Sequence, residues 1–173
     1  GVQIDGDGGA SDDFTIQSGG TLIYNSATPL APTNFNSIAL NSGSTVSYTF
    51  AGAQTLLDLD YSNLTLSTSG AKSLPATSTV TVAATLTING TATLDMNTND
   101  EDISFASLAD NNATDGITES ATNSITFTGG GTLNPTGTVD YGNVVFSSGT
   151  TTISDIGTGL AFGNITINSG GSL

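Results

Sequence analysis

A short motif recurs along almost the whole chain, and this repetition constrains the fold more than any other feature. The motif is an apolar–Thr–apolar triplet, or a close variant, followed by a small turn and a second short alternating run. Its copies begin at Asp13, Ser37, Asn63, Thr85, Asp102, Ser124, Asn143 and Asn164, at steps of uneven length. A mean period of about 22 residues predicts stacked coils, since one such unit cannot bury its apolar side alone.

Apolar residues alternate with polar ones inside each copy, as in residues 64–66 (Leu-Thr-Leu) and 165–167 (Ile-Thr-Ile). This alternation points successive side chains to opposite sides of a β-strand, and the Ser-Gly, Asn-Gly and Gly-Gly pairs favour corners. An antiparallel sandwich would show corners at a similar spacing, but it has no reason to reproduce one motif eight times. We therefore predict an all-β chain, folded as a right-handed parallel β-solenoid of about eight coils. Residues 1–173 would form a single domain that is one segment of a longer array.

Composition excludes several classes of function. The chain has no cysteine and no histidine, and Lys72 is its only basic side chain against 15 acidic ones. Thiolate metal sites, Ser-His or Cys-His nucleophile pairs and phosphate-binding arginines are therefore excluded. The net charge of −14 should repel nucleic acids and anionic membranes. No apolar run is long enough to cross a membrane and no basic-then-apolar leader occurs, so we expect no membrane insertion and no export signal in this sequence.

Two acidic segments suggest calcium, which accepts oxygen ligands in irregular geometry. One lies among the glycines of residues 1–13, and the other in residues 97–119, a polar stretch that a solvated loop would also explain. The candidate metal ligands are Asp5, Asp7, Asp100, Glu101 and Asp102. No cofactor is required, and calcium is the one ion that this pattern suggests. Paired carboxylates also serve glycosidases, but only Phe105 is present here to stack on a sugar, so we expect no enzyme.

Asparagine precedes the apolar triplet in three copies of the motif, at Asn63, Asn143 and Asn164. If these positions align between coils, their amides form a hydrogen-bonded ladder along the solenoid. Asn63 and Asn164, with Asn89 and Asn112, also begin glycosylation sequons, which arise easily by chance in a chain rich in asparagine and threonine. The structural ladder is the interpretation that we favour.

Threonine pairs occupy the outward positions of several strands. They are Thr79/Thr81, Thr85/Thr87, Thr91/Thr93 and Thr126/Thr128. Threonine is favoured on the exposed side of any strand, so the pairs need no special function. A flat threonine array also orders water and binds ice, but the steps between copies of the motif are too irregular for a flat lattice. A glycan- or ice-binding module is therefore the alternative to a structural role.

Residues 45–74 and their continuation to residue 95 resemble a known family. The stretch reads Thr-Val-x-Tyr at 45–48, Gln-Thr-Leu at 54–56, Asn-Leu-Thr-Leu at 63–66 and Gly-x-Lys-x-Leu at 70–74. This succession resembles the repeats of very large secreted surface proteins of gliding and related Bacteroidota-type bacteria. An abbreviated copy at 138–146 lacks the glutamine and lysine positions. The resemblance implies an extracellular filament or adhesin, exported through a terminal signal that lies outside this segment.

The strands at the two ends of the solenoid are expected to have open edges. A terminal coil leaves one row of backbone groups unpaired, and an open edge in water recruits another strand. The residues of these edges are Phe14 and Ile16 at one end and Ile165 and Ile167 at the other, the last two stacked on Val144 and Phe146. We therefore predict a structural segment of an extracellular bacterial fibre or adhesin whose copies associate head to tail into a filament, with glycans or neutral surfaces as its other partners.

Overall fold

The chain folds into short β-strands joined by turns. The computed structural model describes residues 4–8, 12–76, 79–112, 114–135, 138–154 and 159–173, and no helix, hence no membrane-spanning helix, occurs in those ranges. The strands are β1 (Asp13–Ile16), β2 (Thr21–Tyr24), β3 (Ser37–Leu40), β4 (Thr45–Tyr48), β5 (Gln54–Thr55), β6 (Asn63–Leu66), β7 (Ser69–Ser73), β8 (Val80–Ile88), β9 (Thr91–Asp95), β10 (Ile103–Asp110), β11 (Ile117–Thr118), β12 (Ser124–Phe127), β13 (Thr132–Pro135), β14 (Thr138–Phe146), β15 (Gly149–Thr150), β16 (Thr152–Ile153), β17 (Gly159–Ile167) and β18 (Gly171–Ser172).

Strands pair in parallel with the equivalent strands of neighbouring coils. Leu64 pairs with Leu86 and Leu86 with Leu108, so equivalent residues recur about every 22 residues. The predicted parallel β-solenoid is thereby confirmed, with about seven turns in the structure. The right-handed sense of its coiling stays a prediction.

The pairing register divides the strands into three faces of the coil. Face A contains residues 80–82 of β8, residues 103–105 of β10, β12 and the carboxyl-terminal halves of β14 and β17. Strands β1 and β3 pair only with each other, and we assign them to face A because each directly precedes a strand of face B, as residues 80–82 precede residues 85–88. Face B contains β2, β4, β6, residues 85–88 of β8, residues 107–110 of β10, β13 and β16. Face C contains β5, β7, β9 and β11. Strands β8 and β10 turn a corner and therefore serve two faces.

The register differs from the repeat alignment of the sequence at two steps. The motif that begins at Asn63 stacks on Thr45 of β4 instead of Ser37 of β3, and the motif around Ile103 stacks on Val80 of β8. Faces A and B carry the same alternating pattern, so the pattern alone does not assign a strand to its face. The interpretation of residues 97–119 as a solvated loop is likewise wrong for their central part, because β10 lies in the middle of the sheet.

The core consists of inward side chains stacked in register from coil to coil. Phe105, Phe127 and Phe146 come from three successive coils, and all three are completely buried. Their ring centroids lie 4.9 and 5.2 Å apart, edge-on for the first pair and stacked for the second. Because strands repeat at about 4.8 Å, these rings contact one another from coil to coil. The apolar interior thus joins the coils along the solenoid.

Candidate functional site

Strand β17, the last long strand, presents one of the predicted assembly edges. Strand β17 pairs with β14 alone in the described part of the chain, with Ile165 on Val144 and Ile167 on Phe146, as the sequence predicted. Ile165 and Ile167 are 47% and 52% exposed, whereas Val144 and Phe146 are at most 1% exposed. The two isoleucines therefore lie in core positions with one side uncovered.

The first coil presents the opposite edge. Strand β1 pairs with β3, which places Phe14 against Ile38 and Ile16 against Leu40. The Phe14 ring also packs against Phe35, with centroids 5.5 Å apart. No other described strand pairs with β1, and β2 pairs with β4 alone. Phe14 and Ile16 therefore belong to an edge strand, as Ile165 and Ile167 do.

The candidate metal ligands near the amino terminus take part in local hydrogen bonds. The Oδ1 atom of Asp5 accepts hydrogen bonds from Thr33 Oγ1 at 3.0 Å and from Asn34 Nδ2 at 2.8 Å. The backbone N–H of Asp7 donates to Asp12 Oδ2 at 3.2 Å. The Asp5 contacts connect the first described residues to the loop before β3, whereas the Asp7 contact is local.

Carboxylates of the second acidic segment accept hydrogen bonds from the coil that follows it. Hydrogen bonds from Thr122 and Ser120 to the Asp100 carboxylate lower the pKa of that group. The Oδ1 atom of Asp102 accepts the backbone N–H of Ser124 at 2.6 Å, at the start of β12. These two carboxylates therefore connect one coil to the next.

The calcium hypothesis stays a prediction. Within the ranges that the structure describes, no three acidic side chains converge as a metal site would require. Glu101, the remaining candidate, lies in the turn before β10, where its backbone N–H donates to the Met96 carbonyl at 3.3 Å.

The asparagine ladder contains two of its three predicted members. Asn164 Nδ2 donates to Asn143 Oδ1 at 2.7 Å, and Asn143 Nδ2 donates to the carbonyl of Asn123 at 3.0 Å. Asn63 lies apart from them on face B, where its Nδ2 donates to the Ser44 carbonyl at 3.0 Å. All these amides bridge neighbouring coils, which is a structural role.

Lys72, the one basic side chain, is completely buried. Its Nζ donates to three backbone carbonyls, those of Phe50 at 2.6 Å, Gly52 at 2.7 Å and Ser69 at 2.9 Å. Burial lowers the pKa of Lys72. The ammonium group thus satisfies carbonyls at a corner of the coil and is not exposed to bind a ligand. No feature of the sequence indicated that Lys72 would be buried.

Asp110, the last residue of β10, is the most deeply buried of the described carboxylates and has no exposed surface. Its Oδ2 accepts the Tyr141 hydroxyl at 3.1 Å, and its Oδ1 accepts the backbone N–H of Asn112 at 3.1 Å. Burial raises the pKa of Asp110 despite these hydrogen bonds. Gly116 packs against the carboxylate so closely that an added Cβ would lie 2.2 Å from Oδ1. A carboxylate enclosed in this way does not contact a polysaccharide.

Glu119, directly after β11, belongs to an acidic cluster with Asp110, Asp115 and Asp140. Burial, together with the nearby carboxylates of Asp115 and Asp140, raises its pKa to about 7. Its Oε1 accepts the backbone N–H of Gly142 at 2.6 Å, whereas its buried Oε2 has no hydrogen-bond partner. Glu119 therefore changes charge near neutral pH, which the sequence pattern did not indicate.

The outer surface of face B carries no charged side chain at its described outward positions. Those positions form two columns, Thr21, Thr45, Asn63, Thr85, Ser107, Thr132 and Thr152 beside Ile23, Ser47, Thr65, Thr87, Ala109 and Asn134. The coils differ in length, but the corners accommodate the differences and the strands of face B remain in register. The irregular steps between copies of the motif therefore leave the register of this face intact.

Comparison with known proteins found no matching family model, no similar curated protein and no similar solved structure.

Proposed function

We propose that this chain is a structural segment of an extracellular bacterial surface fibre or adhesin, a β-solenoid rod that associates end to end with further copies. The open edge of β17, with Ile165 and Ile167 half exposed, is the observation that carries the proposal. An apolar parallel edge in water gains stability by adding a strand. Because the two ends of the solenoid differ, the contact does not close and repeats as a filament.

The charge distribution supports contact through the ends. Lys72 is buried and the 15 other charged side chains are acidic, so the exposed charged side chains are all negative. Like charges repel along the sides of two parallel rods, and this repulsion is strongest at low ionic strength. The resemblance of residues 45–95 to secreted surface repeats supports the extracellular location.

Replacing Ile165 and Ile167 together by lysine should leave soluble single rods. Two ammonium groups at the uncovered core positions would have to be buried in an end-to-end contact, which is costly. Sedimentation velocity and electron microscopy of negatively stained samples should show assembly of the parent and, for the variant, assembly only at concentrations at least about tenfold higher.

Thr166→Lys is the matched control, because it places the same charge on the outward side of the same strand. Its assembly should resemble that of the parent. If the double-lysine variant assembles at the parent's concentration, the copies associate through their sides and the proposal is wrong.

Ice binding through face B is a second candidate function, favoured by the in-register uncharged columns of that face. Serine or threonine holds six of the seven positions of the first column and three of the six of the second. Positions repeat about every 4.8 Å from coil to coil and about every 6.6 Å along each strand. A neutral array of this regularity presents hydrogen-bonding groups and methyl groups to ordered water without attracting counterions.

Thr87→Lys should abolish ice shaping if face B binds ice, because a long charged side chain would project from the otherwise uncharged array. Thr126→Lys, which adds the same charge to the outward side of face A, should leave the activity unchanged. Thermal hysteresis measured with a nanolitre osmometer tests both variants. An absence of hysteresis in the parent at millimolar concentration would exclude this function.

A further inference from the structure

One coil is shorter than its neighbours and changes the structure of face A. The coil that leads from Thr45 to its partner Asn63 contains fewer residues than the next one, which leads from Leu64 to its partner Leu86. The shorter chain cannot extend along all three faces. On face A this coil makes a single bridge, from Tyr61 to β8.

Strand β3 is left with an open edge on the side of this short coil. Among the described strands it pairs with β1 alone. Tyr61 directs both of its backbone groups away from β3, since its N–H donates to the Thr81 carbonyl at 3.1 Å and its carbonyl accepts the Ala83 N–H at 2.8 Å. An unpaired strand edge therefore lies within the side of the solenoid and not at its end.

A groove runs along this edge. One cavity of about 410 Å³ lies between residues 38–41 and residues 58–60. A second of about 320 Å³ adjoins it at Leu40 and Asp60 and extends to Tyr61, Ala83 and Ala84. We call the two together the β3 groove. Its apolar lining comes from Leu40 and Leu59, which are half-buried against the core.

The groove is acidic at its rim. Asp58 and Asp60 line it and are both exposed. The only basic side chain of the protein, Lys72, is buried at another corner and holds three carbonyls there. No basic residue of this chain is therefore exposed to complement the two carboxylates, and a second copy of the chain is a poor occupant.

We propose that the β3 groove binds an extended peptide segment of another protein that alternates apolar residues with lysine or arginine. The peptide backbone adds as a strand to the open edge of β3. Its apolar side chains pack on Leu40 and Leu59, and a basic side chain reaches Asp60. The proposal is independent of end-to-end assembly, because it concerns the side of the rod.

The probe for this site is a fluorescein-labelled hexapeptide of alternating valine and lysine, titrated with the full chain and followed by fluorescence anisotropy. Asp60→Asn should raise the Kd about threefold to fivefold, as expected for one exposed ion pair, and high salt should act in the same direction. Asp140→Asn removes an equal charge from β14, which does not line the groove, and should leave the Kd unchanged.

Ala39→Lys provides a second test, because it introduces a cation into the groove lining and should abolish binding. Hydrogen exchange should show new protection at residues 37–41 when the valine-lysine peptide binds, and the same peptide with glutamate in place of lysine should not bind. Equal binding of the glutamate peptide would overturn the proposal. So would protection confined to residues 159–167, or binding that Ala39→Lys and Asp60→Asn leave intact.

Discussion

Replacing Lys72 by leucine should lower the free energy of unfolding by about 2–4 kcal/mol, although it removes a buried charge. The ammonium group donates to three backbone carbonyls, those of Phe50, Gly52 and Ser69. Leucine cannot donate, and each buried carbonyl left without a partner costs about 1–3 kcal/mol. The relief of the lysine's own desolvation offsets part of this loss.

The neighbouring coils supply the comparison for this variant. Lys72 pairs with Gln54 on one side and with Leu94 on the other, so leucine is already accommodated at the same position of the next coil. Gln54 also caps carbonyls, since its Nε2 donates to Tyr24 and Ser26 at 3.2 and 2.7 Å. The expected loss at position 72 therefore comes from hydrogen bonds and not from the fit of the side chain.

Urea unfolding at neutral pH measures the effect, with Leu94→Met as a control that should cost less than about 1.5 kcal/mol. If Lys72→Leu is as stable as the parent, water or a local rearrangement satisfies the three carbonyls. The lysine would then have no structural role at this corner.

The solenoid was predictable from the sequence because the patterns that specify it lie within short stretches of the chain. Alternation such as that of residues 64–66 specifies a strand with one buried side, and a recurring motif specifies stacking. The pairing of Asn143 with Asn164 followed from the same alignment and appears in the register. Local patterns therefore identified the architecture and its best-aligned coils.

The face of each strand was not predictable, because it depends on how many residues the preceding corner uses. The short step from Thr45 to Asn63 moves Asn63 to face B, and no alternating pattern records this. The burial of Lys72 and Asp110 was hidden for a different reason. A buried charge is tolerated only where hydrogen-bonding partners converge. The partners of Lys72 are backbone carbonyls that any sequence possesses, and Asp110 combines a backbone N–H with the hydroxyl of Tyr141, which is distant in the sequence.

The protein should lose stability as the pH rises from 4.5 to 7. The pKa of Glu119 is raised in the folded state to about 7 from 4.5, so the unfolded chain releases this proton first as the pH rises. Between these two pKa values the folded protein retains a proton that the unfolded chain has lost, so the free energy of unfolding falls as the pH rises. After allowance for partial solvent screening, Glu119 accounts for about 1–3 kcal/mol.

Burial raises the pKa of Asp110 and of Asp115 as well, so both act in the same direction as Glu119. Asp100 acts in the opposite direction, because its lowered pKa contributes stability that is lost only as the pH falls below its ordinary value of 3.8. The decline between pH 4.5 and 7 therefore belongs to the cluster around Glu119.

Glu119→Gln should remove most of this decline, since an amide at the buried position has no proton to lose. Glu101→Gln, which replaces the chain's other glutamate in the turn before β10, should keep the decline of the parent. Chemical unfolding at half-unit intervals from pH 4 to pH 8 tests both variants. If the parent unfolds at the same urea concentration at pH 5 and pH 8, or if Glu119→Gln keeps the parent's decline, Glu119 is solvated in the folded protein and ionises as it does in the unfolded chain.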